Sequence, residues 1–122
     1  MVTSKKRCEA VYAELSRKWS ITIIKDIFLG CKTFNDFLEV NENLSNKVLS
    51  EQLKSLEELG FIRKVLVSTT PLKANYELTE MGKSLNKLVY EKIMFGLHNE
   101  LFDRNYPLIA GKDLEEVFGI NQ

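Results

Sequence analysis

The sequence predicts a mainly helical domain of the α+β class that contains one β-hairpin. Six glycines and two prolines among 122 residues are too few for the many tight turns of an all-β fold. Leucines recur at helical spacing in residues 44–59, whereas residues 61–78 are rich in β-branched and alternating side chains. Hydrophobic residues make up 44% and charged residues 28% of the chain, which is typical of a globular protein. We therefore treat residues 1–122 as one domain.

The first third of the chain is predicted to form three helices. Residues 8–17 carry apolar side chains at helical spacing, and residues 18–30 are apolar around most of the helix circumference, which indicates a buried helix. Gly30 is suited to end that helix. Thr33 begins a third, short helix, because its hydroxyl can accept from free backbone N–H groups and Asp36 follows at capping-box spacing.

A fourth helix is predicted over residues 45–59. Ser45 caps its first turn, and Gly60 ends it. Its apolar stripe, predicted to point inward, consists of Leu49, Leu53, Leu56 and Leu59. A helix of this kind needs only one packing partner, so its opposite side is free for another role.

A β-hairpin is predicted after Gly60. Residues 61–67 and 74–78 read as strands, because the first run is β-branched and the second alternates apolar and polar side chains. The segment 67–73 between them is polar and contains Pro71, which predicts a loop. Two strands joined by a short polar loop form a hairpin.

The last predicted element is a long helix over residues 79–102, capped by Thr79. Its apolar residues lie on two sides: Leu85, Leu88, Val89 and Phe95 on one, and Tyr90, Met94 and Leu97 on the other. A helix with two apolar sides needs two partners, of which the second is most simply another subunit. Four helices, a hairpin and a further helix give the outline of a winged helix-turn-helix fold.

Several segments, in this order, resemble the HxlR family of winged helix-turn-helix transcriptional regulators, which are MarR-like. The matching features are Lys18 and Trp19 at the start of a buried helix, Gly30 followed by Phe34 and Phe37, the stretch LSNKVLSEQLKSLEELGFIRK over 44–64, and Tyr76 to Gly82. Two features depart from the family pattern. Pro71 is displaced within the hairpin, and Gln52 stands where an arginine is common.

The resemblance implies a homodimer that binds double-stranded operator DNA, with an inverted repeat as the expected site. It implies that helix 45–59 is the recognition helix in the major groove and that hairpin 61–78 is a wing on the DNA backbone. It also implies dimerisation through the N-terminal helix and helix 79–102. Residues 1–7 are a basic N-terminal arm, and residues 103–122 are a C-terminal extension with acidic character to which the resemblance assigns no role.

Geometry alone supports a DNA-binding face on helix 45–59. With Leu49 inward, steps of about 100° place Lys47, Ser50, Lys54 and Glu58 on the outer face, and Asn46 and Gln52 flank it. Polar and cationic side chains in the first turns of such a helix can meet base edges in the major groove. The candidates are Ser45, Asn46, Lys47, Ser50, Glu51, Gln52 and Lys54. The alternative is a solvated face with helical ion pairs between Lys47 and Glu51 and between Lys54 and Glu58.

Further DNA contacts are expected from the hairpin and the start of the third helix. The hairpin candidates for backbone contacts are Arg63, Lys64, Ser68, Thr69, Thr70 and Lys73. Lys32 and Thr33 could hold a phosphate at the start of their helix. The alternative for the hairpin is an exposed edge that uses lysine against aggregation.

Charge and motifs bound the other functional classes. The formal net charge is zero, and DNA-binding domains usually have a basic excess, so a winged-helix protein-interaction module without DNA binding remains the alternative. No serine elbow, phosphate loop or metal-ligand cluster indicates an enzyme or a cofactor, and His98 is the only histidine. No signal peptide or membrane span is recognisable, which predicts a cytoplasmic protein.

Cys8 is a candidate redox-sensing residue. It follows Lys5, Lys6 and Arg7 at an expected helix start, and both features favour a reactive thiol. Some members of the resembled family sense oxidants through a cysteine near the first helix, although the family motif is Cys-Pro. The alternative is a passive side chain, and Cys31 is expected to serve packing.

Overall fold

The structure is a computed structural model and describes residues 3–120. Its elements are α1 (Ser4–Leu15), α2 (Ser20–Phe28), α3 (Phe34–Val40), α4 (Asn46–Glu58), β1 (Ile62–Thr69), β2 (Leu72–Leu78), α5 (Glu80–Lys83), α6 (Asn86–His98) and α7 (Leu114–Val117). The strands form one antiparallel sheet that pairs Ile62 with Leu78 and Thr69 with Leu72. The mainly helical α+β architecture with a hairpin wing is confirmed.

The core lies between α2, α3 and α4 and continues to the base of the hairpin. Ile23, Ile24, Phe37, Leu49 and Leu56 are fully buried in it. Burying such side chains contributes roughly 1.5–3 kcal/mol each, so this cluster fixes the position of α4. The predicted inward stripe of α4 is correct for three leucines. It is wrong for the fourth, at position 59, which is 39% exposed because the helix ends there.

The predicted caps of α3 and α4 are confirmed. The Thr33 hydroxyl accepts from the backbone N–H of Asp36, whose carboxylate in turn accepts from the N–H of Thr33, which completes a capping box. Ser45 accepts from the N–H of Val48 at 3.1 Å. These local bonds set where each helix begins and therefore which residues occupy the first turns of α4.

The hairpin is longer than predicted. Most of segment 67–73 is strand, because β1 continues to Thr69 and β2 begins at Leu72, and only Thr70 and Pro71 form the turn. The Thr70–Pro71 peptide bond is cis. Serine and threonine are compatible with extended backbone, so polarity alone did not mark the strand ends. The hairpin is held to the start of α3 by a 2.7 Å bond from the backbone N–H of Tyr76 to the carbonyl of Lys32.

The predicted single helix over 79–102 is wrong. Helix α5 ends at Lys83 and α6 runs from Asn86 to His98. Helix α5 packs closely against the residue that precedes β1. A Cβ added to Gly82 would lie only 2.1 Å from the backbone carbonyl oxygen of Phe61. The Ser84 hydroxyl also donates to the carbonyl of Met81 at 2.6 Å, which competes with continued helix.

The C-terminal extension packs on the core. Ile109, Leu114 and Phe118 are buried, and the Phe118 ring lies 4.8 Å from that of Phe28, centroid to centroid. Asn86 donates to the carbonyl of Phe118 at 2.6 Å, which joins α6 to the extension. At the other end of the chain, α1 begins at Ser4, so residues 4–7 of the predicted arm are helical, and residues 1–2 lie outside the described residues.

Candidate nucleic-acid interface

The first turns of α4 present an exposed polar face. Its exposed side chains are Asn46, Lys47, Ser50, Glu51 and Lys54, and the capping residue Ser45 is exposed as well. Within residues 3–120 neither Lys47 nor Lys54 forms an ion pair within 4 Å, so the helical pairs with Glu51 and Glu58 are not made. Two unpaired ammonium groups are therefore available to an anionic partner on this face.

Gln52 does not flank this face, so its predicted place beside it is wrong. It is 4% exposed and lies on the side of the helical wheel that carries the buried leucines, about 60° from Leu49 and 40° from Leu56 at the 100° step. With its amide oxygen towards Arg17, Gln52 accepts from the guanidinium at 2.7 and 3.0 Å and donates to Ser20 Oγ at 3.2 Å. The side chain thus anchors the inner side of α4.

A buried polar network surrounds Gln52 and joins three helices. Glu14 of α1 is 4% exposed and accepts from Ser20 Oγ of α2 at 3.2 Å and from the Ser55 hydroxyl of α4. Arg17 donates to Glu14 at 3.4 Å and to Ser55 at 3.2 Å. Buried polar groups of this kind are costly to leave unpaired, so the network fixes α4 relative to α1 and α2.

The hairpin carries two free cations and one paired one. Arg63 Nε lies 3.1 Å from Glu77 Oε1 on the opposite strand, so its charge is shared within the hairpin. Lys64 and Lys73 are exposed and form no ion pair in the described part of the chain. Thr69 and Thr70 are exposed at the tip, and Ser68 is half-buried.

The hairpin tip also has an apolar character that the sequence reading did not identify. Leu66, Val67 and Leu72 are each more than half exposed. The signal was present in the sequence, because apolar residues flank the turn on both strands. The predicted polar loop over 67–73 includes Val67 and Leu72, whereas Leu66 belongs to the predicted strand 61–67.

Two backbone N–H groups at the start of α3, those of Lys32 and Thr33, are already occupied by a side chain. The Asp36 carboxylate already accepts from the backbone N–H groups of Lys32 at 2.9 Å and Thr33 at 3.0 Å. These bonds hold the pKa of Asp36 below its usual value, so the carboxylate stays charged near neutral pH. The Lys32 side chain is exposed at this helix start.

A shallow groove separates α4 from the hairpin. Its lining residues are Ser50, Leu53, Lys54, Glu57, Glu58, Lys64 and Tyr76. The lysines face the same space as the acids of the last α4 turn. Burial, followed by the nearby charge of Glu57, raises the pKa of Tyr76, so its phenol stays neutral. The acids lie at the end of α4 remote from its first turns.

Large apolar side chains are exposed on α1 and α6. On α1, Tyr12 is 72% exposed and its neighbour in sequence, Val11, is exposed as well. On α6, Phe95 is 63% exposed, and Leu88 is exposed on the same face of the helix. Leu88 and Phe95 were predicted to share one apolar side of the helix with Leu85 and Val89, and of these four only Val89 is buried. Exposed apolar side chains of this size mark surfaces that other molecules cover.

The two cysteines have opposite environments. Cys8 is an exposed free thiol in the second turn of α1 rather than at its first residue. Cys31 is buried, and burial, then the charge of Asp26, raises the pKa of its thiol to about 11. Cys31 therefore serves packing, as predicted.

Two further observations concern metal sites and membrane spans. Among residues 3–120, no group of three or more histidine, cysteine, aspartate or glutamate side chains is arranged to hold a metal ion. In the same residues, none of the helices has the length and apolarity that crossing a membrane requires. His98, at the end of α6, is exposed.

Known proteins resemble the chain in sequence. The HTH-type transcriptional regulators YvaP and YodB of Bacillus subtilis (strain 168) are 34% and 32% identical to it over 85 residues. That region is 70% of this chain and 79% and 76% of theirs.

Solved structures resemble it as well. The reduced form of YodB from B. subtilis superposes with a TM-score of 0.64 at 30% identity over 80% of this chain and 93% of that one. The redox regulator HypR in its reduced form gives 0.69 at 26% identity over 77% and 93%. A MarR-family regulator from Porphyromonas gingivalis W83, at 22% identity and a TM-score of 0.67 over 81% and 97%, supports the fold alone.

The sequence model of the HxlR-like helix-turn-helix family matches residues 14–105, which run from Glu14 of the buried network to beyond the end of α6. The relatives named above carry the same description as transcriptional regulators of the helix-turn-helix type. The winged helix-turn-helix architecture agrees with both findings. The chain belongs to the HxlR-like helix-turn-helix family.

Proposed function

We propose that the chain is a sequence-specific DNA-binding transcriptional regulator that acts as a homodimer in the cytoplasm. The first turns of α4 enter the major groove, and the hairpin contacts the DNA backbone. The observation that carries the proposal is the exposed polar face of α4, whose Lys47 and Lys54 have no acidic partner among the described residues. Family membership and relatives named as regulators support it.

On this proposal the contacts divide by chemistry. Base edges are read by the first turns of α4, from the residues Asn46, Lys47, Ser50 and Glu51, with Ser45 and Lys54 beside them. The ammonium groups of Lys47 and Lys54 also neutralise the phosphates at the edge of the groove. Phosphates are held by lysines 32, 64 and 73 and by the hydroxyls of the hairpin tip. Arg63 contributes less, because Glu77 already neutralises its charge. Gln52 contributes through the position of α4 alone.

The homodimer is supported by the exposed apolar side chains of α1 and α6. Tyr12 and Phe95 expose most of their surface, and a stable interface typically buries roughly 1,200–2,000 Å². Two recognition helices related by a two-fold axis would read the two halves of an inverted repeat about one helical turn apart.

A redox response through Cys8 is part of the proposal. Its thiol is exposed in the second turn of α1, after three basic residues. The solved relatives YodB and HypR are described by their redox forms. Operator affinity should change after treatment with diamide in the natural chain and stay constant in Cys8→Ser. An equal response in both would remove Cys8 from the account.

The second candidate function is a winged-helix protein-interaction module without DNA binding. The exposed Leu66, Val67 and Leu72 at the hairpin tip favour it, as does the zero net charge. Selection of bound duplexes from a random pool separates the two functions. Enrichment of an inverted repeat supports the regulator. Failure to enrich any motif, together with no anisotropy change on mixed duplex DNA at low salt, would support the module instead.

A further inference from the structure

A cavity of about 370 Å³ lies between α2, α6 and the C-terminal extension. Its walls are mostly apolar: Ile21, Val89, Ile93, Phe102 and Ile109 supply the main surface. The remaining lining residues are Thr22, Lys25, Lys92 and Tyr106. A cavity of this volume, apolar with a few convergent polar groups, is typical of small-molecule sites.

The charged side chains that line the cavity are both positive. Lys25 and Lys92 line it, and no carboxylate does. Lys25 is held by the buried Asp26, with 3.4 Å between Nζ and Oδ1, and its ammonium lies 5.9 Å from the centroid of the Tyr106 ring. Lys92 is exposed and has no ion-pair partner within residues 3–120. An anion entering the cavity would therefore meet one uncompensated ammonium and a second that is fixed in place.

The aromatic wall is built into the end of α6. A Cβ on Gly96 would lie 2.1 Å from Cε1 of Phe102, so only glycine lets this ring rest on the helix. The backbone N–H of Leu101 donates to the carbonyl of Gly96 at 2.9 Å, which turns the chain back at this point. The Phe102 and Tyr106 rings then meet edge to face with centroids 6.1 Å apart. Such a wall is suited to a flat apolar ligand.

We propose that this cavity binds a small organic anion with a flat apolar body, of the aromatic carboxylate class. Its carboxylate pairs with Lys92 and approaches Lys25, and its ring lies against Phe102 and Tyr106, between α2 and α6. The C-terminal extension thereby acquires a role, because it supplies one wall of the site.

Occupation of the cavity has a route to the DNA-binding face, and this step rests on the proposed function. Helix α2 forms one wall through Ile21, Thr22 and Lys25, and its first residue, Ser20, bonds both Glu14 and Gln52 in the buried network. A ligand that changes the distance between α2 and α6 would therefore change how α4 is held. Binding and its effect on DNA are separate measurements, so either can fail alone.

Binding is tested by titrating the full chain with 2-naphthoate in a calorimeter, without DNA. We expect saturable binding with a Kd on the order of 1 mM or tighter, and weaker binding of the neutral 2-naphthamide. Lys92→Gln should weaken 2-naphthoate binding at least about fivefold. Lys87→Gln, an exposed lysine of α6 outside the cavity, is the matched control and should bind within about twofold of the natural chain.

Three results would overturn the site. They are no 2-naphthoate binding at millimolar concentration, equal binding by Lys92→Gln and Lys87→Gln, and equal affinity for the acid and the amide. Gly96→Ala gives a second check, because its Cβ displaces the Phe102 ring and binding should be lost while circular dichroism stays helical. If Gly96→Ala still bound 2-naphthoate, the Phe102 ring would have no part in binding the ligand. If an operator is found, 2-naphthoate should change its affinity in the natural chain and not in Lys92→Gln, and no change in the natural chain would overturn the regulatory step alone.

Discussion

Helices α4 and α6 have the same length of thirteen residues, and each buries one stripe of apolar side chains. Their outer sides differ. That of α4 carries Lys47 and Lys54, whereas that of α6 exposes Leu88 and Phe95. The buried stripes explain why both helices are stable, and the outer sides indicate what each one binds. A polar cationic side suits a nucleic acid, and an apolar side suits a protein surface.

The two helices also differ in how firmly they are held. α4 has a capped first turn and a buried polar network on its inner side, centred on Glu14 and Gln52. α6 has no side-chain cap at its start, and a turn separates it from α5. Recognition of base edges needs side chains in fixed positions, which a network of this kind supplies.

The largest expected effect comes from charging the apolar side of α6. Phe95→Asp places a carboxylate in the proposed dimer interface, which should give a monomer in sedimentation and reduce operator affinity by roughly 100-fold or more, since both half-sites are no longer bound together. Lys87→Asp on the same helix is the control. A Phe95→Asp chain that still sediments as a dimer would place the interface elsewhere.

The next effect comes from the polar side of α4. Lys47→Ala should weaken operator binding by roughly tenfold and make the dependence of log K on log salt shallower by about one unit. Gel shift or anisotropy over a range of salt concentrations measures both. An unchanged affinity together with an unchanged slope would contradict the assignment of this face.

A smaller effect is expected from the hairpin. Lys73→Ala removes one exposed ammonium that holds the backbone but reads no base, so affinity should fall by roughly threefold on specific and mixed duplexes alike. Anisotropy with both duplexes in parallel provides the comparison. Loss confined to the specific duplex would mean that Lys73 reads sequence.

The smallest change in DNA contacts is expected from the inner side of α4. Gln52→Ala removes one hydrogen-bond partner from each of Ser20 and Arg17 and should lower the free energy of unfolding by about 1–3 kcal/mol. Because Gln52 is buried, the salt slope of DNA binding should stay the same. Denaturant unfolding and the salt titration check the two parts, and a shallower slope would return Gln52 to the DNA-binding face.

The pH dependence of stability distinguishes the buried carboxylate of Asp26 from the helix-capping carboxylate of Asp36. Burial raises the pKa of Asp26, so its contribution to stability is greatest below the unfolded pKa and is lost as pH rises through the folded value. Bonds from backbone N–H groups lower the pKa of Asp36, so its contribution is present above the unfolded pKa and is lost as pH falls. The free energy of unfolding of Asp26→Asn, measured relative to that of the natural chain, should therefore increase as the pH rises from 4 to 7. The same difference for Asp36→Asn should decrease. Denaturant unfolding at pH 4 and pH 7 measures both differences. Changes of the opposite sign would contradict the buried environment of Asp26 and the capping role of Asp36.

Local features of the fold were predictable from the sequence, and non-local ones were not. Thr33 and Ser45 were identified as caps because capping depends on residues three positions away. The break at residues 84–85 was missed because it arises from the approach of Gly82 to Phe61 on another element. A helical-wheel reading could have placed Gln52 inward, but its partners Arg17 and Ser20 lie more than thirty positions away in sequence.

The candidate site divides in the same way. The exposed α4 face followed from helical geometry, whereas the occupied amides at the start of α3 and the Arg63–Glu77 pair depend on side-chain contacts. The cavity could not be predicted, because residues from α2, α6 and the extension form it together. The sequence does show a glycine in α6 followed by aromatic residues. That pattern indicates a cavity wall only when the chain is known to turn back after α6, which the sequence does not show.

The most direct test of the central claim compares two double variants with the same change in charge. Lys47→Ala/Lys54→Ala alters the outer side of α4, and Lys83→Ala/Lys87→Ala alters α5 and α6. The account predicts that the first lowers operator affinity by roughly 100-fold and makes the salt slope shallower by about two units, and that the second changes both only slightly. Equal losses in the two variants would mean that net charge, and not the first turns of α4, governs DNA binding.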